Sequence, residues 1–340
     1  MEKVRFGVVG TNFITDWVIE GAKEDPRFEL AAVYSRTRER GEEFAAKHNI
    51  PHIFTSLEDM AASDKVDAIY IASPNALHAE QSILCMRHGK HVLCEKPLAS
   101  NAREAREMVE TARQRGVTLM EAMKSTLSPN FLAVKDNIHR VGTPRRYFAS
   151  FCQYSSRYDK FKEGIVLNAF RPELSNGALM DIGVYTLYPL VVLFGAPKTI
   201  NAQGIVLASG ADGQGAVNMQ YEGMNATILY SKIANSLLPA EIEGEDGNIT
   251  IDRIQTPVDV RFYPRQAPAS GHEKRAEGES IGCKENHNEY YYEVKEFIDL
   301  IENGCIESKI NSHQASITTL EIMDEVRRQL GVHYPADEES

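Results

Sequence analysis

Three stretches of this 340-residue chain carry side chains whose types and spacing suit chemistry on a hydroxyl group. Glu95-Lys96-Pro97 follows a short apolar run from His91 to Cys94. A lysine at such a strand end can aim its ammonium at a substrate oxygen, stabilise a developing alkoxide or lower the pKa of a neighbouring acid. A lysine exposed in a turn would read the same. In Ser175-Asn176-Gly177-Ala178-Leu179-Met180-Asp181-Ile182-Gly183-Val184-Tyr185, the carboxylate of Asp181 and the phenol of Tyr185 stand four apart. A helix would put them on one face, near its N-terminal end. Such a pair can bind and deprotonate a hydroxyl if a cation keeps the phenol acidic, because tyrosine otherwise titrates near pH ~10. Lys96 is the candidate cation. A buried tyrosine bonded to a neighbouring acid fits the same residues equally well. The third stretch, Ser73-Pro74-Asn75-Ala76-Leu77-His78, follows the apolar run Val66 to Ala72. It suits a ligand-binding loop, and it also suits a plain turn in which Asn75 caps the next helix.

A fourth stretch bears on a cofactor. Gly10-Thr11-Asn12-Phe13-Ile14-Thr15 closes the first apolar run and opens a helix, where free amides suit a phosphate. Of the dinucleotide fingerprint G-x-G-x-x-G/A only the first glycine is present. Asn12 stands at the second, and asparagine is the residue other than glycine that best tolerates positive φ. Thr15 stands at the third, which predicts a slightly displaced helix. The second strand ends Ser35-Arg36-Thr37-Arg38-Glu39-Arg40, where an NAD-binding domain usually carries an acid on the ribose. Guanidiniums pair with phosphate and stack on bases, so this end predicts NADP ahead of NAD. A solvated helix start is the other reading.

These stretches need elements to hold them. Val4–Val9, Phe28–Tyr34, Val66–Ala72, His91–Cys94 and Val117–Met120 read as strands. Helices are predicted between them at about Asp16–Lys23, Thr37–His48, Leu77–His88 and Ala102–Arg115, the last capped by Ser100 or Asn101 and stopped by Gly116. Continuous apolar strands alternating with helices imply a parallel sheet covered on both faces, with ligands at its carboxyl edge. The second half differs. A linking helix runs from Ser128-Pro129 to Gly142, a strand covers Tyr147–Tyr154, and a helix covers Ala178–Phe194 despite Pro189. Strands crowd Thr199–Tyr263 without helices between them, the mark of a mainly antiparallel sheet. A polar loop is predicted over 264–285, and helices near Glu289–Ile301 and Gln314–Leu330. The expected domains are 1–125 and 126–340.

Composition narrows the classes. A net charge of −11 argues against a nucleic-acid partner. The sequence has no apolar run approaching the roughly 18 residues of a membrane helix, and no signal peptide is evident, so no membrane role is expected. The five cysteines are odd in number and form no C-x-x-C pair, which suits a reducing cytoplasm. Neither H-E-x-x-H nor paired Cys/His spacing occurs, so no metal site is expected.

Taken in order, GVVGTNFIT, SPNALH, CEKPLA and FRPELSNGALMDIGVY resemble the Gfo/Idh/MocA family of NAD(P)-dependent oxidoreductases over essentially the whole chain. The resemblance implies a Rossmann domain followed by an α/β domain with an open, mainly antiparallel sheet. It also implies association into a homodimer or homotetramer through that sheet. It makes Lys96 catalytic. Tyr185, where many members have histidine, is similar to the branch of dimeric dihydrodiol dehydrogenase, D-xylose dehydrogenase and glucose–fructose oxidoreductase. The cofactor contacts expected are Gly10, Thr11, Asn12, Phe13 and Ile14; Ser35, Arg36 and Arg40; Ser73, Pro74, Asn75, Leu77 and His78; Glu95 and Lys96; and Arg171 of Phe170-Arg171, where Trp-Arg is common. Thr126 stands where many relatives have arginine, so the substrate pocket should differ from that of the dihydrodiol enzymes.

The expected reaction is hydride transfer between NADP and a hydroxyl-bearing carbon of a sugar, inositol or related polyol. Tyr185 would be the base, Lys96 the cation at the reacting oxygen, and Asp181 the acceptor for a second hydroxyl. Two alternatives are an NADP-sensing regulator without turnover and a redox-assisted glycoside hydrolase.

Overall fold

The computed structural model describes residues 3–265, 277–284 and 287–338. The chain forms two compact units. The first comprises 1–124, 287–320 and 336–340, and the second 125–286 and 321–335.

In the first unit six parallel strands run in the order β3-β2-β1-β4-β5-β6: β1 Val4–Val9, β2 Phe28–Tyr34, β3 His52–Phe54, β4 Ala68–Ile71, β5 His91–Glu95 and β6 Leu119–Ala122. This is the doubly wound dinucleotide-binding order. Val8, Val9, Ile69, Ile71, Val92 and Leu93 are almost wholly buried, as strands covered by helices on both faces require. Helix α1, Phe13–Ala22, begins three residues earlier than expected because Asn12 caps it. Helix α2, Arg38–His48, is capped by Thr37 and closed by Asn49 at φ 59°. The sequence reading passed over β3 and the short helix α3, Leu57–Ala62. Helix α4 is His78–Arg87, and α5 is Ala102–Arg115, capped by Asn101 rather than Ser100 and ended by Gly116 at φ 63°. Such caps are worth about 1 kcal/mol each.

The late segment 287–320 joins this unit, although the sequence predicts one second domain over 126–340. The reason is packing. In the helix Tyr291–Glu302, Phe297 packs against Phe6, with ring centroids 5.9 Å apart and the planes tilted by 60°. Arg27 joins Asp25 at 2.6 Å to Asp299 and Glu302 at 2.7 Å each.

The second unit is built on eight strands in the order β14-β13-β12-β11-β7-β10-β9-β8. They are β7 Pro144–Cys152, β8 Thr199–Val206, β9 Asp212–Gln220, β10 Asn225–Ser231, β11 Ala240–Gly244, β12 Gly247–Ile251, β13 Val260–Pro264 and β14 Glu279–Ser280. Among the described strands of this sheet only the β7–β10 pair is parallel, so the sheet is mainly antiparallel, as expected. Burial alternates along it. Val217, Met219, Ile228, Tyr230, Ile249 and Phe262 face a core, while Asn218, Thr227, Thr250 and Arg261 look the other way. Most of the predicted loop 264–285 lies outside the described residues; its described part includes β14.

Two further expectations need correction. The helix expected over Ala178–Phe194 is a π-turn, Leu179–Gly183, leading into an α-helix, Val184–Phe194. With its lead-in from Pro172, this segment spans 23 residues and is apolar and long enough to cross a membrane, contrary to the expectation that no run approaches that length. It is a core helix, 72% buried over its most apolar window, with Leu179, Met180, Leu187 and Tyr188 sealed in the second unit.

Candidate active site

In the first unit, the carboxyl ends of β1, β2 and β4 surround a cleft of about 380 Å³. Nine of the expected cofactor residues line it: Gly10, Thr11, Asn12, Ser35, Arg36, Arg40, Ser73, Pro74 and Leu77. Gly10 takes the positive φ, 105°, and a Cβ there would stand 2.5 Å from the carbonyl oxygen of Ala72. The loop can therefore lie against β4 only with glycine at this point.

Asn12 does not use its tolerance of positive φ. It is extended, at φ −101° and ψ 178°. Its side chain matters instead: Oδ1 accepts the amides of Ile14 at 3.0 Å and Thr15 at 3.4 Å, and Nδ2 donates to Ala72 O at 3.2 Å. Thr15 is buried and donates its hydroxyl to Gly10 O at 3.0 Å. The two departures from the glycine fingerprint thus brace the turn. On the far wall, Arg40 reaches back to Thr11, donating to its carbonyl at 2.8 Å and its hydroxyl at 3.2 Å. Phe13 is half exposed and meets Trp17 edge-on, with centroids 4.9 Å apart. Asn75 does not cap the following helix; it lies inside a 3₁₀ turn, Asn75–Leu77.

His78 and Glu95 are placed differently from the cofactor contacts expected of them. His78 is fully buried, with Nε2 2.9 Å from Ser73 O and Nδ1 2.9 Å from Pro97 O. It ties the loop after β4 to the loop after β5, and burial holds its imidazole below the usual pKa. The Glu95 carboxyl points inward, where it accepts the Tyr70 hydroxyl at 2.5 Å and the Lys96 amide at 3.3 Å. Burial pushes it up, and the Lys96 charge pulls it back. A third hold on this loop went unread in the sequence: Glu121 Oε1 accepts the Leu98 amide at 3.0 Å. Burial lifts the Glu121 carboxyl to about 7. Glu293, from the late helix, adds a further buried carboxyl, pushed well up by burial and by Glu95. The half-buried Lys96 therefore sits on a loop fixed by His78, Glu95 and Glu121.

In the second unit, Asp181 and Tyr185 are the two partly exposed positions in an otherwise buried stretch from Leu179 to Leu190. They share an open face across the junction of π-turn and α-helix, and such π-turns are frequent at functional sites. Tyr185 packs edge-on to Phe151, centroids 5.8 Å apart. Gly183 lets the turn lie on Tyr230, whose ring would be 3.0 Å from a Cβ there. Asp212, buried in β9, accepts the Leu179 amide at 2.7 Å and anchors the turn's start. The buried ammonium of Lys232 pairs with Asp181 Oδ2. Neither Asp212 nor Lys232 was singled out from sequence, and nothing in local spacing marks them. Arg171 is exposed in this unit, 3.7 Å from Glu173.

The strand order and the cleft define a Rossmann-fold nucleotide-binding protein. Residues 4–123 match the family model described as an oxidoreductase family with an NAD-binding Rossmann fold, and 133–250 match the GFO/IDH/MocA C-terminal domain. The chain belongs to the GFO/IDH/MocA family of oxidoreductases. It is 53% identical over 335 residues to scyllo-inositol 2-dehydrogenase (NADP(+)) of Bacillus subtilis, covering 98% of this chain and 99% of that one. It is 31% identical to trans-1,2-dihydrobenzene-1,2-diol dehydrogenase of Xenopus tropicalis, over 90% and 91% of the two chains. Among solved structures, a 3-ketoreductase of Actinomadura kijaniata in complex with NADP superposes with a TM-score of 0.80, at 25% identity and 97% and 98% coverage. Aldose-aldose oxidoreductase of Caulobacter crescentus shares the fold, with a TM-score of 0.83 at 19% identity and 96% and 97% coverage.

Proposed function

We propose that this chain is an NADP-dependent dehydrogenase acting on a hydroxyl-bearing carbon of a ring polyol, with inositols the leading substrate class. The observation that carries the reading is the basic end of the cleft. At the tip of β2, where an acid would hold the ribose of NAD, stand Ser35 and Arg36. Arg38 and Arg40 are engaged with Glu42 and Glu43, whereas Arg36 has no ion-pair partner among the described residues. It is the guanidinium offered to a 2′-phosphate. The relative at 53% identity, named for NADP and scyllo-inositol, points the same way. The regulator and glycosidase alternatives gain no support from the relatives described, each named for an oxidoreductase.

The cleft suits the dinucleotide. Gly10 keeps the loop's backbone open to a pyrophosphate, and since Asn12 Oδ1 takes the Ile14 and Thr15 amides, those of Asn12 and Phe13 are left for phosphate oxygens. The bound nicotinamide would supply the hydride acceptor or donor. The chain's own part is proton handling and orientation. Tyr185 would take the hydroxyl proton, Lys96 would stabilise charge on the reacting oxygen, and Asp181 would accept a neighbouring hydroxyl. The open face of the eight-stranded sheet is the expected surface for a homodimer or homotetramer. The five cysteines are all unbridged, in keeping with a cytoplasmic enzyme.

Nicotinamide absorbance tests the reading, with purified protein, NADP or NAD, and a panel of inositols, aldoses and cyclic diols. Turnover of an inositol with NADP preferred is the expected result. Turnover with NAD alone would overturn the cofactor assignment. Tight NADPH binding with no turnover on any polyol would overturn the dehydrogenase reading.

A further inference from the structure

Lys232 follows β10, and its backbone is held on both sides. Its amide donates to Gly213 O, and its carbonyl accepts the Ser155 amide, both at 2.8 Å. The side chain is 6% exposed, and its ammonium lies 5.9 Å from the centre of the Phe170 ring. Its carboxylate partner is not equally enclosed: the Asp181 side chain is 35% exposed. A buried charge without its partner is strongly destabilising, so the ammonium holds Asp181 in place. The carboxylate keeps part of its hydration while the ammonium is enclosed, so the open side of the pair is the acid. Here the open member sits four residues before Tyr185, on the same open face.

We infer that Lys232 is a positioning residue, fixing the Asp181 carboxylate so that it accepts the hydroxyl adjacent to the reacting one and thereby selects polyols with neighbouring hydroxyls. The inference rests on the proposed dehydrogenase reading. The ammonium does not touch substrate in this scheme. It pairs with Oδ2 of Asp181 and so orients a carboxylate whose side chain is 35% exposed. Losing such a charge-assisted contact with a hydroxyl weakens binding by about 10- to 100-fold.

The test is a double-mutant cycle of Lys232→Met and Asp181→Asn, with steady-state kinetics on the best inositol and NADPH binding measured in parallel. Each single variant should raise KM about 10- to 100-fold with a smaller change in kcat and unchanged NADPH affinity. The double variant should be no worse than Asp181→Asn alone, because both changes remove the same contact. Asp181→Asn is the variant that leaves the buried ammonium unpaired, so NADPH binding and urea unfolding check its fold, while the double variant leaves no buried charge unpaired. Lys232→Arg should recover part of the lost affinity. Losses that add in the double variant, or a folded Lys232→Met with wild-type KM, would overturn the assignment while leaving the dehydrogenase reading intact. Wild-type protein that turns over no inositol overturns both.

Discussion

Asp212 Oδ2 accepts the backbone amide of Leu179 at 2.7 Å, from a carboxyl group buried in the sheet of the second unit. This bond closes the N-terminal end of the π-turn that carries Asp181. It depends on Gly177, where a Cβ would fall 2.0 Å from Asp212 Oδ1. Gly177→Ala must therefore displace the carboxylate or shift the turn. Overpacking of this kind destabilises by about 1–3 kcal/mol. Urea unfolding should register that loss. Because the turn moves with it, KM for the polyol should rise more than the dissociation constant of NADPH. Wild-type stability in Gly177→Ala would mean the anchor relaxes freely and does not set the turn.

Stability should depend on pH through the buried carboxyls. Burial lifts Glu121 from its ordinary 4.5 to about 7. The folded chain thus holds this proton more tightly than the unfolded chain does. Its contribution is complete below pH 4.5 and is lost as pH rises to about 7. At about 1.4 kcal/mol per pH unit, the window is worth roughly 3 kcal/mol. Asp212, lifted to about 6 by burial, acts with the same sign. Glu121→Gln keeps an acceptor for the Leu98 amide and removes the titration. The fall in unfolding free energy between pH 5 and pH 8 should shrink by about 2–3 kcal/mol in that variant. An unchanged pH profile would show that Glu121 titrates normally.

Much of this architecture is legible in the sequence because it rests on local signals. Apolar runs such as Val4–Val9 mark covered parallel strands, and Asn101 and Gly116 bracket a helix. β3 escaped notice because three residues give no period to read. The candidate site could be read only where a residue sits within a local motif, as Lys96 and Tyr185 do. It was not legible where the partner is remote. Lys232 lies 51 residues from Asp181, and Glu293 reaches Glu95 only through the packing of a late helix. Asn12 and His78 were located but given other roles, since sequence does not reveal whether a polar side chain faces a ligand or its own backbone.

The basic end of the cleft makes a prediction of its own. Arg36 is exposed and lines the cleft, while Arg40 is tied to Thr11 and Glu43. Removing Arg36 should cost the cofactor a charge-assisted phosphate contact, about 1.5–3 kcal/mol. Fluorescence titration of Arg36→Ala should show NADPH binding weakened about 10- to 100-fold, with NADH nearly unaffected. Equal weakening of both would place Arg36 on the adenine or ribose instead of the 2′-phosphate.

Lys96 and Tyr185 divide the proposed chemistry, and separate variants can divide it experimentally. The Lys96 loop is braced through backbone groups by His78 and Glu121, so Lys96→Met should fold and bind NADPH as the wild type does. Positioned proton transfer is worth about 10²–10⁴ in rate, and kcat should fall by that order in Lys96→Met and in Tyr185→Phe. The pH profiles should separate the two. In the proposed scheme the ammonium is what keeps the Tyr185 phenol acidic, and that scheme predicts that residual activity in Lys96→Met climbs steeply toward high pH. Tyr185→Phe has no group left to ionise there, and its residual rate should stay flat. Matching profiles would mean that one residue carries the proton and the other only binds. A Lys96→Met enzyme that keeps a tenth or more of wild-type kcat would remove the lysine from the reaction.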